Sequence, residues 1–348
     1  MRGLQIVHWG EPYVLNTSIP VPSPAKGQLL IKIASAGYCH TETLVLNGDF
    51  ARLALRDPLP QIPSHEPTGW VAAVGEGVDG EKWKVGMRVG CLNYRDMCGS
   101  CKECKAGDLK FCTHANLAGV TADGAFAEYM LASPQSTIPL PASISFDNAA
   151  PLFCAGATVY CGLLRCALSP GQAVAILGCG ALGHLGVQFA KVMGLRVVAI
   201  DSRQAPLDLC ATLSHPLDKC INSSLTPVND ALAKLPFEVD AAVVATDAIP
   251  AYRYALELTR KHGTVVVLGQ PKEDIPVPYF QLIMRDLTIK GSVLSSPEDC
   301  QDMINMFAEH NLEVRTHVYK MEEISKLIED THKPEMSGKM VVRIAEEF

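Results

Sequence analysis

The chain has 348 residues, of which 48% are hydrophobic and 19% charged, and a formal net charge of −7. This is the composition of a folded globular protein, not a disordered one, and the length suits two domains of roughly 100–200 residues each. The acidic balance argues against nucleic acid as the main partner, and no apolar run reaches the roughly 18 residues of a membrane span.

Met1 to Gly10 carries polar residues throughout and has no apolar core of a secretory signal. With 13 cysteines in such a chain, a cytoplasmic location is expected, where clustered thiols are metal ligands before they are disulfides. Residues 1 to about 155 are rich in Gly, Pro and short β-branched runs. Leu29–Ile33 and Gly69–Gly75 are predicted strands bounded by turn residues, in a mostly β domain.

The strongest local signal is Cys98-Gly-Ser-Cys101-Lys-Glu-Cys104 followed by Cys112. Four thiolates on a short loop suit a closed, tetrahedral structural zinc site. Lys102, Lys105 and Lys110 lie among them and can offset the excess negative charge. An iron–sulfur cluster is the rival, because its ligands begin with a similar run. The rest of that pattern is absent, so zinc is preferred.

After Cys154 the texture changes. Residues 173–178, 195–201, 241–246 and 264–269 are short, almost wholly apolar runs, separated by helix-length stretches such as Ala181–Met193 and Ala251–Lys261. That alternation predicts a doubly wound parallel sheet covered on both faces. Gly178-Cys179-Gly180-Ala181-Leu182-Gly183 follows the first run and opens a helix, which is the context of a dinucleotide-binding loop. The first glycine allows the turn, the second lets pyrophosphate approach, and the third allows close helix–strand packing.

Asp201 ends the next strand, where an acid accepts hydrogen bonds from the adenosine ribose and repels a 2′-phosphate. NAD is therefore expected over NADP, a preference that Arg203, two residues on, can soften. After about residue 290 the chain returns to mixed polarity and ends in a predicted strand, Met340–Ile344.

Three further segments, Gly37–Glu42, Ser64–Glu66 and Leu152–Thr158, together offer two thiolates and an imidazole. That is a three-ligand set for catalytic zinc with its fourth position free. Taken in order, C-H-T-E, S-H-E, the four-cysteine loop, C-A-G-A-T and G-C-G-A-L-G, the chain resembles the zinc-containing alcohol dehydrogenases of the medium-chain dehydrogenase/reductase superfamily. Its length is nearest the shorter microbial members, usually tetrameric.

The resemblance implies an α/β fold, a Rossmann sheet joined to a mostly β GroES-like catalytic domain. It implies boundaries at 1–155 for the catalytic domain with both zinc sites, 156–290 for the NAD-binding domain, and 291–348 for the return to the first. Cys39, His65 and Cys154 are implied as catalytic zinc ligands, with Glu66 able to approach the metal. Thr41 matches the hydroxyl that meets the alcohol. His40 and Lys339 match basic residues at the cofactor pyrophosphate, Thr158 a residue packed on the nicotinamide, and Leu268 and Gly269 the backbone beside its carboxamide. Glu42 stands for the acid that orients the zinc-ligating histidine.

Two zinc ions, NAD, an alcohol or carbonyl substrate and a homo-oligomer, tetramer or dimer, are the expected partners. Asn47 stands where several microbial relatives place the histidine that finishes the proton route from Thr41; an amide cannot exchange a proton at useful pH, so the route is expected to end on ribose hydroxyls and water. Tyr94, Leu44 and Phe153 are expected either to line an apolar or aromatic pocket or to pack beside the loop. A reductase of C=C or C=N bonds on the same scaffold stays open, as does a non-enzymatic zinc-binding module.

Overall fold

The computed structural model describes residues 1–50 and 59–346. Two large sheets organise it. The first has six parallel strands in the spatial order Lys219–Asn222, Arg196–Asp201, Ala173–Leu177, Val239–Val244, Thr259–Val267 and Thr288–Gly291. In chain order this is 3-2-1-4-5-6, the order of a dinucleotide-binding sheet.

Its apolar runs carry no alternation because both faces are covered. Val174, Ile176, Val197, Ala199, Ala241 and Val243 pack into one core with helices Ala155–Cys166 and Gly183–Val192. Ala175, Leu177, Val198, Ile200, Ala242 and Val244 pack into another, with helix Ile249–Leu258. Alternate residues of each strand thus serve opposite cores, as its period of two demands.

The structure differs from the sequence expectation in two respects. Residues 259–261, expected as the end of a helix, open the strand Thr259–Val267. Thr259 is β-branched and buried, and its hydroxyl donates to Ala255 O (2.8 Å), closing the helix there. The outer strands Lys219–Asn222 and Thr288–Gly291 carry exposed and polar residues, so no apolar run marks them.

The second sheet joins the chain's two ends. Its order is Thr316–Lys320, Lys339–Arg343, Leu29–Tyr38, Pro67–Val74, Arg88–Cys91 and Thr137–Pro139, and Tyr129–Ala132 also pairs with Leu29–Tyr38. The final strand runs antiparallel to Leu29–Tyr38 with Met340 opposite Tyr38. This pairing sets Lys339 beside the residues that follow Tyr38. A third core, including Ile31, Ile33, Val71, Val89, Phe126 and Val342, fills this part of the molecule. Among the described residues no single helix is long and apolar enough to cross a membrane.

Candidate active site

Three strand or helix ends converge at one point. Leu29–Tyr38 runs into Cys39, which caps helix His40–Leu46. The cap is reciprocal: Glu42 Oε2 accepts from Cys39 N (2.7 Å). Ser64 takes the left-handed conformation (φ 75°) immediately before His65. Its hydroxyl donates to Gly37 O (2.8 Å), which holds this costly backbone turn in place. Cys154 stands at the N-terminus of helix Ala155–Cys166.

The result is a cluster in which ligand atoms of Cys39, His65, Glu66 and Cys154 all lie within 4.8 Å of one another. The Cys39 and Cys154 sulfurs are 4.0 Å apart. Zn–S bonds of about 2.3 Å at tetrahedral angles would set two sulfurs about 3.8 Å apart, so the cluster fits a zinc ion without rearrangement. His65 Nδ1 meets Glu42 Oε1 at 2.6 Å, which leaves the other ring nitrogen for the cluster. Thr41 Oγ1 lies 3.8 Å from Cys39 Sγ.

Burial opposes charge here, and neighbouring groups restore it. Burial alone would lower the His65 pKa, but the Glu42 carboxylate and Cys39 push it well above the ordinary value. The Cys39 thiol is held low by a hydrogen bond from Cys154, and the Cys154 thiol is raised for the same reason. Burial pushes Glu66 up to about 7, against the pull of Lys339. Lys339 Nζ donates to Glu66 Oε1 (2.5 Å), and both side chains are almost fully buried. Burial disfavours the Lys339 ammonium, yet Glu66 and the two thiols hold its pKa above the usual lysine value. Glu66 Oε2 has no hydrogen-bond partner among the described residues and belongs to the cluster, an orphaned acceptor that a cation would satisfy.

Glu42 acts through His65, which gives its role a direct test. Glu42→Gln is expected to weaken zinc retention at this site about tenfold or more, read by competition with a chelator. The loop thiols serve as the internal reference in that titration.

The four-cysteine loop closes on itself. Cys98, Cys101, Cys104 and Cys112 form a second group with all sulfurs within 4.8 Å, and Cys98 Sγ is 3.7 Å from Cys112 Sγ and 4.0 Å from Cys104 Sγ. Backbone N–H groups of Cys101 and Cys104 donate to the sulfurs of Cys98 and Cys101 (3.4 Å each). The amide and hydroxyl of Ser100 hold the Cys98 thiol down at about 5. A four-thiolate tetrahedron of these dimensions fits zinc with no open position.

The Cys39–His65–Glu66–Cys154 cluster opens on a cleft of about 810 Å³ lined by both halves of the molecule. Cys39, His40, Thr41, His65, Cys154, Thr158, Gly178, Gly180, Ala181, Leu182, Asp201, Arg203, Leu268, Gly269 and Lys339 all contribute to its walls. Gly178 has φ +93°, and a Cβ at Gly183 would come within 2.1 Å of Gly178 O, so glycine is required at both. A Cβ at Gly180 would meet only Arg203 Nη2, at 3.8 Å, which leaves room for a phosphate to approach. Asp201 is buried and accepts from Cys179 N (2.8 Å) and Arg203 N (2.9 Å). Arg203 also reaches Met336 O (3.3 Å). Leu268 N and Gly269 N donate to Val244 O, so the carbonyls are the backbone groups they have left to offer.

His40 stands at the cleft with its Nε2 3.6 Å from Asp247 Oδ2. Lys339, expected with it at the pyrophosphate, is instead tied to Glu66. The helix after the dinucleotide loop begins at Gly183, two residues later than expected.

Among the described residues, Tyr94, Phe153 and Leu44 do not line the cleft. Tyr94 is wholly buried and donates to Ser295 O (3.1 Å), and Phe153 is wholly buried in the core. Asn47 is also absent from the cleft wall; it is the exposed cap at the end of helix His40–Leu46. The wall carries Phe50, Asn93, Lys110, Leu117 and Val120, none of them marked by a motif in the sequence. They lie on loops and short pairings, where no periodicity reports which side faces a ligand.

A parallel dinucleotide sheet facing a thiol–imidazole metal cluster across one cleft defines a class, the zinc- and dinucleotide-dependent oxidoreductases. Residues 25–142 match the family model "Alcohol dehydrogenase GroES-like domain" and residues 181–309 "Zinc-binding dehydrogenase". The chain is 34% identical to an alcohol dehydrogenase of Geobacillus stearothermophilus, over 99% of this chain and 100% of that protein. It is 32% identical to one of Rhizobium meliloti, over 98% of each. A solved alcohol dehydrogenase of the archaeon Aeropyrum pernix superposes with a TM-score of 0.88 at 27% identity, covering 99% of this chain and 100% of that one. The chain belongs to the zinc-containing alcohol dehydrogenases of the medium-chain dehydrogenase/reductase superfamily, enzymes that oxidise alcohols with the help of zinc.

Proposed function

We propose that the chain transfers hydride between NAD(H) and an alcohol–carbonyl pair, with Cys39, His65 and Cys154 holding a catalytic zinc and Cys98, Cys101, Cys104 and Cys112 a structural one. The observation that carries this reading is the meeting of the Cys39–His65–Glu66–Cys154 cluster, Thr41 and the dinucleotide loop in one cleft. When bound, zinc supplies Lewis acidity that makes an alcohol acidic near neutral pH, and NAD supplies the hydride acceptor.

The chain's own residues do the rest. Thr41 Oγ1 receives the substrate's hydroxyl proton as it gives up its own. Glu42 fixes the His65 ring. Glu66 and Lys339 set the charge behind the cluster, and Glu66 Oε2 is an acceptor within its reach. Loop amides of Gly180, Ala181, Leu182 and Gly183, with His40, hold the pyrophosphate, while Gly178, whose own amide donates to Ile200 O (2.8 Å), makes the turn that presents them. Asp201 receives the ribose, Thr158 packs on the nicotinamide, and Leu268 and Gly269 offer backbone to its carboxamide.

The proton route then ends on ribose hydroxyls and water, since Asn47 caps its helix away from the cleft. The reading is tested with a panel of alcohols and aldehydes assayed with NAD(H) and NADP(H), alongside metal analysis. NADH formation and two zinc ions per chain are expected. Asp201→Ala should lower kcat/KM with NAD by about 10–100-fold, the worth of hydrogen bonds to a charged acceptor, and lower it far less with NADP.

The reading extends to organisation. A catalytic domain of residues 1–155, a nucleotide domain of 156–290 and a return of 291–348 accords with the strand Lys339–Arg343 lying in the second sheet beside Leu29–Tyr38. A homo-oligomer, tetramer or dimer, is supported by the exposed Tyr279, Phe280, Ile283 and Met284 beside the outer strand Thr288–Gly291. A cytoplasmic location is supported by 13 cysteines, none of which is in a disulfide.

A further inference from the structure

We infer that the substrate is an alcohol carrying a second oxygen function, of the diol or hydroxyketone class, and that Asn93 is the residue that selects it; this rests on the function proposed above. Asn93 forms part of the cleft wall shared with Thr41, His65 and Cys154. It is 8% exposed, and its side-chain Oδ1 accepts no hydrogen bond among the described residues. Its main chain is fixed, because Asn93 O accepts from Ala118 N (2.8 Å) next to the pairing of Tyr94 with Leu117. The backbone is therefore rigid, while the carboxamide torsion is soft and can turn either its donor or its acceptor end to a ligand.

A buried amide oxygen without a partner is costly, so this wall is suited to completion by a polar group. Lys110 adds a second polar side chain to the same wall. Its side chain is 8% exposed, and its ammonium makes a long contact to Asp108 (3.5 Å) and lies 5.3 Å from the centre of the Phe111 ring. Leu117, Val120 and Phe50 are apolar members of the same lining. A plain alkanol would leave the Asn93 amide oxygen unanswered. A second hydroxyl or carbonyl oxygen on the substrate would answer the amide from either end and accept from the ammonium. A site that hydrogen-bonds a substrate oxygen discriminates strongly against the analogue lacking it.

The test compares kcat/KM for butan-2-ol, butane-1,3-diol and butane-2,3-diol with NAD in the full-length, zinc-loaded enzyme. The wild type is expected to favour at least one diol over butan-2-ol by about tenfold or more. Asn93→Leu should erase that preference, chiefly by raising KM for the diol while raising kcat/KM for butan-2-ol. Lys110→Met should move the ratio in the same direction by a smaller factor. Asn93→Ala is the second variant should the leucine prevent folding, with zinc content and NADH fluorescence confirming an intact site. A wild type that favours butan-2-ol, or a diol ratio unchanged in both Asn93 variants, overturns the inference and leaves the alcohol dehydrogenase reading standing. No NADH from any alcohol overturns that reading and the inference with it.

Discussion

His65→Ala is expected to reduce alcohol oxidation by at least about 10⁴-fold and to lower bound zinc from two ions per chain to one. Three protein ligands hold a catalytic zinc, and the lowering of a bound hydroxyl's pKa from 15.7 to about 7 depends on that ion. His65 is the single imidazole of the cluster, and Glu42 holds its ring at 2.6 Å. Its removal also leaves Oε1 of the wholly buried Glu42 carboxylate without its His65 partner. Activity is read as NADH formation and zinc by elemental analysis. A variant that keeps two zinc ions and wild-type turnover would show that His65 is not a ligand.

Thr41→Ala is expected to lower kcat by about 10²–10⁴-fold, the usual worth of a positioned proton acceptor, while both zinc ions remain. The hydroxyl lies 3.8 Å from Cys39 Sγ, and its residue is in the first turn of the helix that Cys39 caps. The two variants separate metal binding from proton transfer, since one loses zinc and the other keeps it. Thr41→Ser, which retains the hydroxyl, should recover most of the activity. Full turnover in Thr41→Ala would assign the proton to another group.

Much of this was legible in the sequence because the signals were local. The four-cysteine loop and the dinucleotide loop are short segments whose residue types and spacing are dictated by one ion or one phosphate group. The inner parallel strands read as unbroken apolar runs because residues such as Ile176 and Leu177 serve cores on opposite faces. The outer strands did not read so, since residues such as Lys219 and Thr288 face solvent.

What stayed hidden depends on tertiary pairing. Lys339 meets Glu66 across 273 positions of sequence, through a register no local pattern records. The aromatic residues near the motifs misled for a related reason. Tyr94 and Phe153 are the right size for a pocket wall, but they are equally good core residues, and the fold uses them that way. Asn93 carried no signal because a polar residue beside a loop is unremarkable until its burial is known, and Lys110 drew notice only for its charge among the four cysteines.

The central claim is that one zinc-holding cluster and one dinucleotide loop act together on an alcohol. Chelation and readdition test it most directly, with NADH formation from alcohol and NAD followed as zinc is stripped by a chelator and then restored. The account predicts a rate that falls below about a hundredth as the first zinc ion leaves and returns when zinc is added back. A rate indifferent to zinc would contradict it.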